Sequence, residues 1–224
     1  KKACDEGYIK RMKGNKLKGV YQAQIQSDNL GDIRDLINME LPEVDMIVHG
    51  SPCQDFSLSG NNKGGDEGSG TRSSLMWHTV EIINDLNPKY VLWENVKGVT
   101  TKKHKHNFKK YLKKLRQLGY KNHNKILNAK DFGIPQSRKR VFVVSIREDI
   151  NASFEFPDGK EQELTLRDIL QTEVREDYYM NKEFEVLKKI NKNIQNKLDQ
   201  VAKLNIKGRD SIKRVYNPYG LAPT

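Results

Sequence analysis

A cysteine lies where a nucleophile could act. Cys53 follows the apolar segment Met46–Val48 in the stretch Gly50-Ser51-Pro52-Cys53-Gln54. Such a segment, ended by glycine and proline, predicts a short buried strand and then a tight loop. Ligands collect beyond the carboxyl ends of strands in open α/β sheets, so a thiolate here could attack an electrophilic carbon. A buried structural cysteine is the alternative, because free cysteines are among the most buried residues.

A carboxyl group follows a second predicted strand. Glu94 comes directly after Tyr90–Trp93, and a helix predicted over Met76–Leu86 precedes that strand. Strands joined through a helix pair in parallel, so Glu94 is expected at the same sheet edge as Cys53. An acid there is costly unless it is paired or used. A capping or salt-bridged glutamate is the alternative.

Two arginines and a glutamine are predicted to reach the same edge. A third strand over Lys125–Ala129 is joined by a short connection to a fourth over Val141–Ile146. Only an antiparallel neighbour allows so short a connection, and Gln136, Arg138 and Arg140 precede or begin that fourth strand. A nearby arginine favours the thiolate form of cysteine. No histidine stands in an obvious position to act as base, which argues against a Cys-His hydrolase.

The other segments give weaker expectations. Residues 57–74 are polar and rich in glycine, and they predict a mobile lid or, alternatively, a disordered linker. Residues 97–125 contain no Asp or Glu, and their lysines form either a phosphate-contacting surface or a solvated helix face, which we favour. Further patterns predict a helix within residues 3–12, a strand at 20–25, short helices at 33–39 and 165–170, and a long amphipathic helix at 182–204.

Composition points to a polyanionic partner. The chain has 224 residues, 40 Lys and Arg against 29 Asp and Glu, and a formal net charge of +11. Such a balance suits nucleic acid. Two cysteines make no disulfide framework and favour a reducing compartment. No apolar stretch is long enough for a membrane span.

Three motifs together resemble those of the C5-specific DNA-cytosine methyltransferases. They are Gly50-Ser51-Pro52-Cys53-Gln54, Glu94-Asn95-Val96 and Gln136-Ser137-Arg138-Lys139-Arg140, in the family's order. Asn128–Pro135 before the arginines adds to the likeness, and Arg214–Thr224 resembles the end of that family's target-recognition domain. The resemblance is strong over about residues 1–150 and loose beyond.

The resemblance implies a catalytic role for three residues. Cys53 would attack C6 of a cytosine that has been flipped out of the duplex, Glu94 would hold or protonate N3, and Arg138 would bind the base. The methyl donor would be S-adenosylmethionine, released as S-adenosylhomocysteine, with no metal. Its contacts carry over to Asp32, Ile33, Pro52 and Leu75. A helix cap is an equally natural role for Asp32.

The resemblance also implies partners and a setting. DNA contacts carry over to these side chains: Gln54, Ser57, Ser59, Lys63, Gln136 and Arg140. We expect double-stranded DNA as substrate, a monomer, no membrane, and a restriction-modification or phage protection system in the cytoplasm of a bacterial cell or phage-infected host.

The resemblance and the element order imply one fold class. It is an α/β, Rossmann-like, doubly wound and mostly parallel sheet with an antiparallel strand, as in S-adenosylmethionine-dependent methyltransferases. Residues 1–160 would form the catalytic domain, and residues 161–224 part of a small target-recognition domain.

The sequence departs from the family at its ends. The Phe-x-Gly-x-Gly motif, the acid that holds the donor ribose and the last helix are absent. The sequence is then a fragment, a split enzyme whose second chain supplies the cofactor loop, or an incomplete record. Alone, it is expected to bind the donor poorly and not to methylate DNA. The alternatives are a catalytically incomplete DNA-binding fragment and a tRNA cytosine-5 methyltransferase.

Overall fold

The computed structural model describes most of the chain as two units. The described residues are 14–56, 63–160, 163–178, 182–194, 197–208 and 210–223. The first unit comprises the described residues within Lys1–Asn124 and Phe142–Phe154, and the second those within Lys125–Val141 and Glu155–Thr224. The helix predicted within residues 3–12 lies outside the described residues.

Five α-helices and seven strands are described. The helices are α1 (Asn15–Gln26), α2 (Ile33–Leu36), α3 (Met76–Leu86), α4 (Lys105–Gln117) and α5 (Leu166–Ile169). The strands are β1 (Met46–His49), β2 (Tyr90–Val96), β3 (Tyr120–Asn128), β4 (Lys139–Arg147), β5 (Phe184–Val186), β6 (Gln200–Leu204) and β7 (Arg214–Tyr216).

The larger sheet mixes parallel and antiparallel strands in the order β1-β2-β4-β3. β1 and β2 are parallel. β4 runs against β2, because the Arg147 amide at its end donates to Lys89 before β2. It also runs against β3, since Glu148 donates to Gly119. This confirms the α/β class and the predicted antiparallel strand, which lies between β2 and β3. β3 and β4 each pass from one unit into the other.

Helix α4 packs against strand β2. Trp93 of β2 is fully buried and packs against Phe108 and Tyr111 of α4, with ring centroids 5.9 and 4.7 Å apart. Helix α3 ends at Asn87, in the left-handed conformation with φ 45°. Pro88 follows, and a proline cannot continue the helical hydrogen bonding. Residues on one face of β2 therefore enter the core, while the residues between them remain partly exposed.

The predicted burial of β1 is wrong for the described structure. The strand has the expected bounds, but Met46 and Val48 are 47% and 65% exposed. β1 is the edge strand of the described sheet, and these two residues alternate with the half-buried Ile47 and His49. An edge strand with only one covered face leaves every second side chain in solvent.

The second unit contains a three-stranded antiparallel sheet in the order β5-β6-β7. The predicted helix at 182–204 is therefore wrong. Its spaced apolar residues do not form a buried face, since Leu187, Ile190 and Leu198 are about half exposed. Val201 and Ala202 of the central strand are buried instead.

Three other local predictions meet the structure as follows. The strand expected at 20–25 is part of helix α1, because lysine, glutamine and alanine around its β-branched residues favour helix. The third strand begins at Tyr120 rather than Lys125. The short helix after Thr165 is confirmed as α5, with a reciprocal capping box between Thr165 and Asp168. Among the described helices none is both long and apolar enough to cross a membrane.

Candidate active site

The loop carrying Cys53 is held by the end of β2. Asn95 is buried, and its side-chain amide donates to the hydroxyl and the carbonyl of Ser51 at 2.8 and 3.1 Å. The indole of Trp93 donates to the same hydroxyl at 3.2 Å. Cys53, two residues further on, is half-buried and is a free thiol. The loop is thus fixed on one side while the cysteine stays partly accessible.

Glu94 lies beside this loop. A side chain at Gly50 would place its Cβ 3.6 Å from Glu94 Oε2. The parallel pairing of His49 with Trp93 continues one step to bring Gly50 opposite Glu94. The sequence expectation that the carboxyl group and the cysteine loop share one edge of the sheet is met at this position.

Two buried polar residues fix the other side of the loop. The Ser73 hydroxyl donates to the carbonyl of Pro52 at 2.6 Å, and the Ser73 hydroxyl oxygen accepts from the amide of Asp55 at 3.2 Å. The carboxylate of Asp55 accepts in turn from the amide of Ser73 at 3.2 Å. Asp55 and Ser73 are 4% and 0% exposed. These reciprocal bonds hold Cys53 between two anchored neighbours.

A close backbone approach packs the turn after β2 against the turn after Cys53. A Cβ at Gly98 would lie 2.1 Å from the carbonyl oxygen of Phe56, and one at Gly65 would lie 2.5 Å from the Phe56 ring. His104 meets that ring edge-on, with centroids 5.4 Å apart. Only glycine permits either approach. Phe56 is therefore packed against Gly65, Gly98 and His104.

Part of the glycine-rich segment that was predicted as a lid is attached to the body of the protein. The Gly64 amide donates to the Asp55 carbonyl at 2.9 Å, which closes the ends of the segment between them. The following residues are attached to the body: Trp77 donates to the carbonyl of Gly65 at 2.7 Å, and Glu67 pairs with Lys110 at 2.6 Å. Residues 64–74 are therefore anchored, which corrects the lid predicted over 57–74. Residues 57–62, with the predicted DNA contacts Ser57 and Ser59, lie outside the described residues.

A neutral histidine lies under the loop. His49 Nε2 is 2.9 Å from the hydroxyl of Tyr111, and its ring lies against Trp93 with centroids 6.3 Å apart. Burial lowers the pKa of His49 to about 4 and raises the pKa of Tyr111. His49 is close to Cys53 in the sequence, but its Nε2 atom is hydrogen-bonded to the hydroxyl of Tyr111.

Asp32 caps a helix, which is one of the two roles that the sequence predicted for it. Its carboxylate caps α2 by accepting from the amide of Arg34 at 3.0 Å, and it also pairs with the Arg34 guanidinium. Hydrogen bonds from Arg34 hold the pKa of Asp32 well below its ordinary value, with a smaller contribution from His78 in the first turn of α3. A carboxylate offers about four acceptor positions, so this cap does not use them all.

The other predicted cofactor contacts lie on neighbouring elements. Ile33 begins α2, which packs against α3, and Leu75 directly precedes α3. Pro52 lies in the cysteine loop, and all three residues are half-buried. Their role as cofactor contacts stays a prediction.

The predicted arginines belong to the second unit. Arg138 is exposed, and its carbonyl accepts from the amide of Ala129 at 3.0 Å across the β3–β4 connection. Arg140 is half-buried within β4. Gln136 donates to the carbonyl of Pro223 at 2.9 Å. Their convergence on Cys53 stays a prediction.

The two remaining predicted DNA contacts are exposed. Gln54 accepts a 3.4 Å hydrogen bond from Arg72, and Lys63 begins the described part of the segment after residue 62. Sequence reasoning did not single out Asn95, Ser73 or Gly98 as supports of the loop. Asn95 lies within a quoted motif and could have been found there. Ser73 and Gly98 gave no signal, because their partners lie far along the chain.

The fold and this site define a class: an α/β protein with a free cysteine and a carboxyl group at one sheet edge. The family model of the C-5 cytosine-specific DNA methylases matches residues 4–224. The chain therefore belongs to the C-5 cytosine-specific DNA methylase family.

Curated relatives agree with this membership. The type II methyltransferase M2.ScrFI of Lactococcus lactis subsp. cremoris is 44% identical over 78% of this chain and 48% of its own length. The orphan methyltransferase M.SssI of Spiroplasma monobiae is 34% identical over 100% of this chain and 59% of its own length. The chain thus spans about half the length of the curated relatives it matches. Membership of a methyltransferase family implies use of S-adenosylmethionine.

A solved structure supports the fold. The methyltransferase EhMeth of Entamoeba histolytica matches 75% of this chain and 52% of its own chain, with a TM-score of 0.53 and 20% sequence identity.

Proposed function

We propose that the protein is a DNA (cytosine-5-)-methyltransferase that acts on double-stranded DNA through a covalent bond to Cys53. The observation that carries the proposal is the anchored loop at the end of β1. Asn95 and Ser73 fix the residues on either side of a half-buried free thiol, and Glu94 lies beside Gly50 of the same loop. Family membership supplies the substrate class.

The first step belongs to the cysteine. The Cys53 thiolate attacks C6 of the cytosine, and a carbon–sulfur bond forms as the C5–C6 double bond opens. A proton delivered at N3 leaves an enamine, which makes C5 nucleophilic. After C5 has been methylated it loses its proton, and the carbon–sulfur bond breaks to restore the ring and the thiolate.

Glu94 is proposed as the group that holds or protonates N3. Its carboxyl group must carry a proton when the ring accepts charge, and a partly dry pocket favours that form. Arg138 is proposed to bind the base and Arg140 to hold the loop or a phosphate. Gln54, Lys63 and Gln136 are proposed as DNA contacts, together with Ser57 and Ser59.

The methyl donor is proposed to contact the side chains of Asp32, Ile33, Pro52 and Leu75. S-adenosylmethionine supplies an electrophilic sulfonium methyl group when bound. The ionised Asp32 carboxylate can accept from the adenine amine, because the hydrogen bonds from Arg34 leave acceptor capacity on its oxygens. Ile33 and Leu75 offer apolar surface for the ring.

Base flipping is a consequence of this arrangement, since C6 of a paired cytosine is not accessible to a thiolate on a loop. A restriction-modification or phage protection role, in the cytoplasm, is the proposed setting.

Covalent trapping tests the proposal. Duplex DNA of random sequence containing 5-fluorocytosine is incubated with the protein and S-adenosylmethionine, and denaturation-resistant adducts are sought by mass spectrometry. Fluorine at C5 blocks the final elimination, so an active enzyme stalls while bonded to the DNA. We expect an adduct that maps to Cys53 and is absent from Cys53→Ala.

An adduct at another residue, or an adduct formed only on RNA, would overturn the proposal. DNA binding without an adduct, even after addition of a piece that carries the family's glycine motif, would overturn it in favour of a non-catalytic DNA-binding protein. The Glu94→Gln variant checks the second role. It keeps the size of the side chain but cannot cycle a proton, so adduct formation should slow by about 100-fold or more.

A further inference from the structure

One segment carries the whole net charge of the chain. Residues 97–125 contain eleven of the 40 basic residues and none of the 29 acidic ones, so the rest of the chain has 29 of each. Net charge normally reflects many scattered residues, whereas here it is confined to one helix and its flanks. The positive field therefore has a specific place on the molecule.

Helix α4 arranges part of this charge in a line. Lys105, Lys109, Lys113 and Arg116 are all exposed and follow one another at spacings of four, four and three residues. Residues so spaced lie on one face of a helix. We call these four residues the basic stripe. At 1.5 Å per residue the stripe is about 16 Å long.

The same helix contains two lysines that are neutralised. Glu67 pairs with Lys110 at 2.6 Å and with Lys114 at 2.8 Å, and both ammonium groups lie over the ring of Trp77. In the described part of the chain no carboxylate forms an ion pair with the stripe. Asp66 pairs with His106 of the same helix at 2.6 Å. The acidic residues that pair with α4 among the described residues therefore contact other side chains, and the stripe is left facing solvent.

Helix stability does not account for this charge. The first turn of α4 has no acidic residue although Lys105 begins it, and cations are unfavourable at a helix N-terminus. Lys105, Lys109 and Lys113 are also like charges four residues apart, which repel one another. Just before the helix, burial and then the charges of Lys103 and His106 lower the pKa of His104, in line with a positive field there.

The segment begins next to the cysteine loop. It starts in the turn at Lys97–Thr100, where Gly98 packs against the carbonyl of Phe56, three residues after Cys53. α4 then connects this edge of the sheet to the start of β3. A polyanion held at Cys53 would therefore meet the beginning of the basic segment.

We propose that the basic stripe binds the phosphate backbone of duplex DNA outside the target base. The inference rests on the proposed methyltransferase function, because that function brings DNA to the Cys53 edge. Duplex DNA presents one negative charge per about 1.7 Å of axis, so a stripe of this length can neutralise several phosphates. Such contacts position the duplex without reading its sequence.

The salt dependence of DNA binding tests the stripe. The dissociation constant for a duplex of random sequence is measured by fluorescence anisotropy over a range of salt concentrations. The slope of log affinity against log salt falls by about 0.9 for each phosphate that the protein no longer neutralises. Lys109→Gln with Lys113→Gln should therefore lower the slope by about 2. Lys109→Arg with Lys113→Arg should keep it, because the charges remain.

A matched control lies on the same helix. Lys110→Gln with Lys114→Gln removes two lysines of the same type, spacing and net charge, but these are paired with Glu67, so the slope should stay close to that of the unmodified protein. Equal slopes for the two pairs of glutamine substitutions would overturn the inference and point to a general charge effect or another partner for the stripe. A protein that does not bind duplex DNA would overturn it too. Adduct formation at Cys53 is scored separately, so failure of the stripe and failure of the proposed chemistry are distinguishable.

Discussion

His49 is an uncharged histidine whose burial disfavours the protonated form. Its ring contacts Tyr111 and Trp93, and burial lowers its pKa to about 4. In the unfolded chain its pKa would be near the ordinary value of about 6.5. The unfolded state therefore binds a proton that the folded state does not, in the range between these values.

This difference predicts acid sensitivity. Well above pH 6.5 both states are neutral at His49, and the residue makes no pH-dependent contribution. As the pH falls towards 4 the unfolded state is favoured progressively, by about 3 kcal/mol in total. Urea unfolding of the unmodified protein and of His49→Gln at several pH values measures the effect. The variant should lose less stability between pH 6.5 and 4. Parallel pH dependences would contradict the assignment.

The residue types at the site were predictable, but their supports were only partly so. Cys53 and Glu94 could be placed at one edge because each follows a short apolar segment of the sequence, and the parallel pairing of β1 with β2 brings Gly50 opposite Glu94, which lies within β2. Ser73 holds the loop through Pro52, and nothing in the sequence relates two residues 21 positions apart. Such a contact depends on how α3 enters the fold.

At the scale of elements, the contact between two turns constrains the cysteine loop. Gly98, after β2, leaves room for the carbonyl of Phe56, after Cys53. Any Cβ at that position requires the two turns to separate. The consequence should reach both stability and chemistry, since the same turns position Cys53.

Gly98→Ala is therefore expected to destabilise the protein by about 1–3 kcal/mol, as overpacking does, and to slow formation of the Cys53 adduct. Gly19→Ala is the matched control. Gly19 is within α1 and a Cβ there would meet nothing within 4 Å, so this change should stabilise by about 0.5–1 kcal/mol. Thermal unfolding of both variants measures the difference. A neutral Gly98→Ala would show that the turns can separate at little cost.

Periodic apolar patterns predicted a helix correctly where the apolar residues form a buried helix face. They predicted one wrongly in the second unit, where the chain forms strands. Helix α3 buries Met76, Val80 and Ile83, which recur at helical spacing. The same spacing at Leu187, Ile190 and Leu198 predicted a helix, but β6 pairs with two strands and its backbone bonds decide the structure. β-strand pairing depends on partners that lie elsewhere in the chain, so tertiary context overrides local periodicity there.

At the scale of the whole molecule, each unit has a core of its own. The first is built around Trp93 and Tyr111, and the second includes the fully buried Asn217. The side-chain amide of Asn217 donates to the Asn191 carbonyl at 2.8 Å and to Asp199 at 2.9 Å. Its side-chain oxygen accepts from the Tyr219 amide at 3.0 Å. One side chain thus connects three segments of the second unit.

Asn217→Ala should loosen the second unit selectively. Each buried partner left without its hydrogen bond costs about 1–3 kcal/mol, and among the described residues the Asp199 carboxylate would keep its ion pair with Lys188. Hydrogen exchange of β6 and β7 amides should accelerate strongly, while that of β2 and α3 should change little. Asn205→Ala, at an exposed position, provides the comparison. Uniform acceleration in both units would contradict their separate cores.

The strand order has a consequence for synthesis on the ribosome. β4 is the last made of the four strands, yet it lies between β2 and β3. Until residue 147 has emerged, the nascent chain exposes an open hydrogen-bonding edge on β2 where β4 will be inserted. Unpaired edges of this kind are prone to pairing with other chains. The growing polypeptide therefore passes through a stage at which the part of the chain that bears Cys53 has an open sheet edge, exposed to pairing with other chains until β4 closes it.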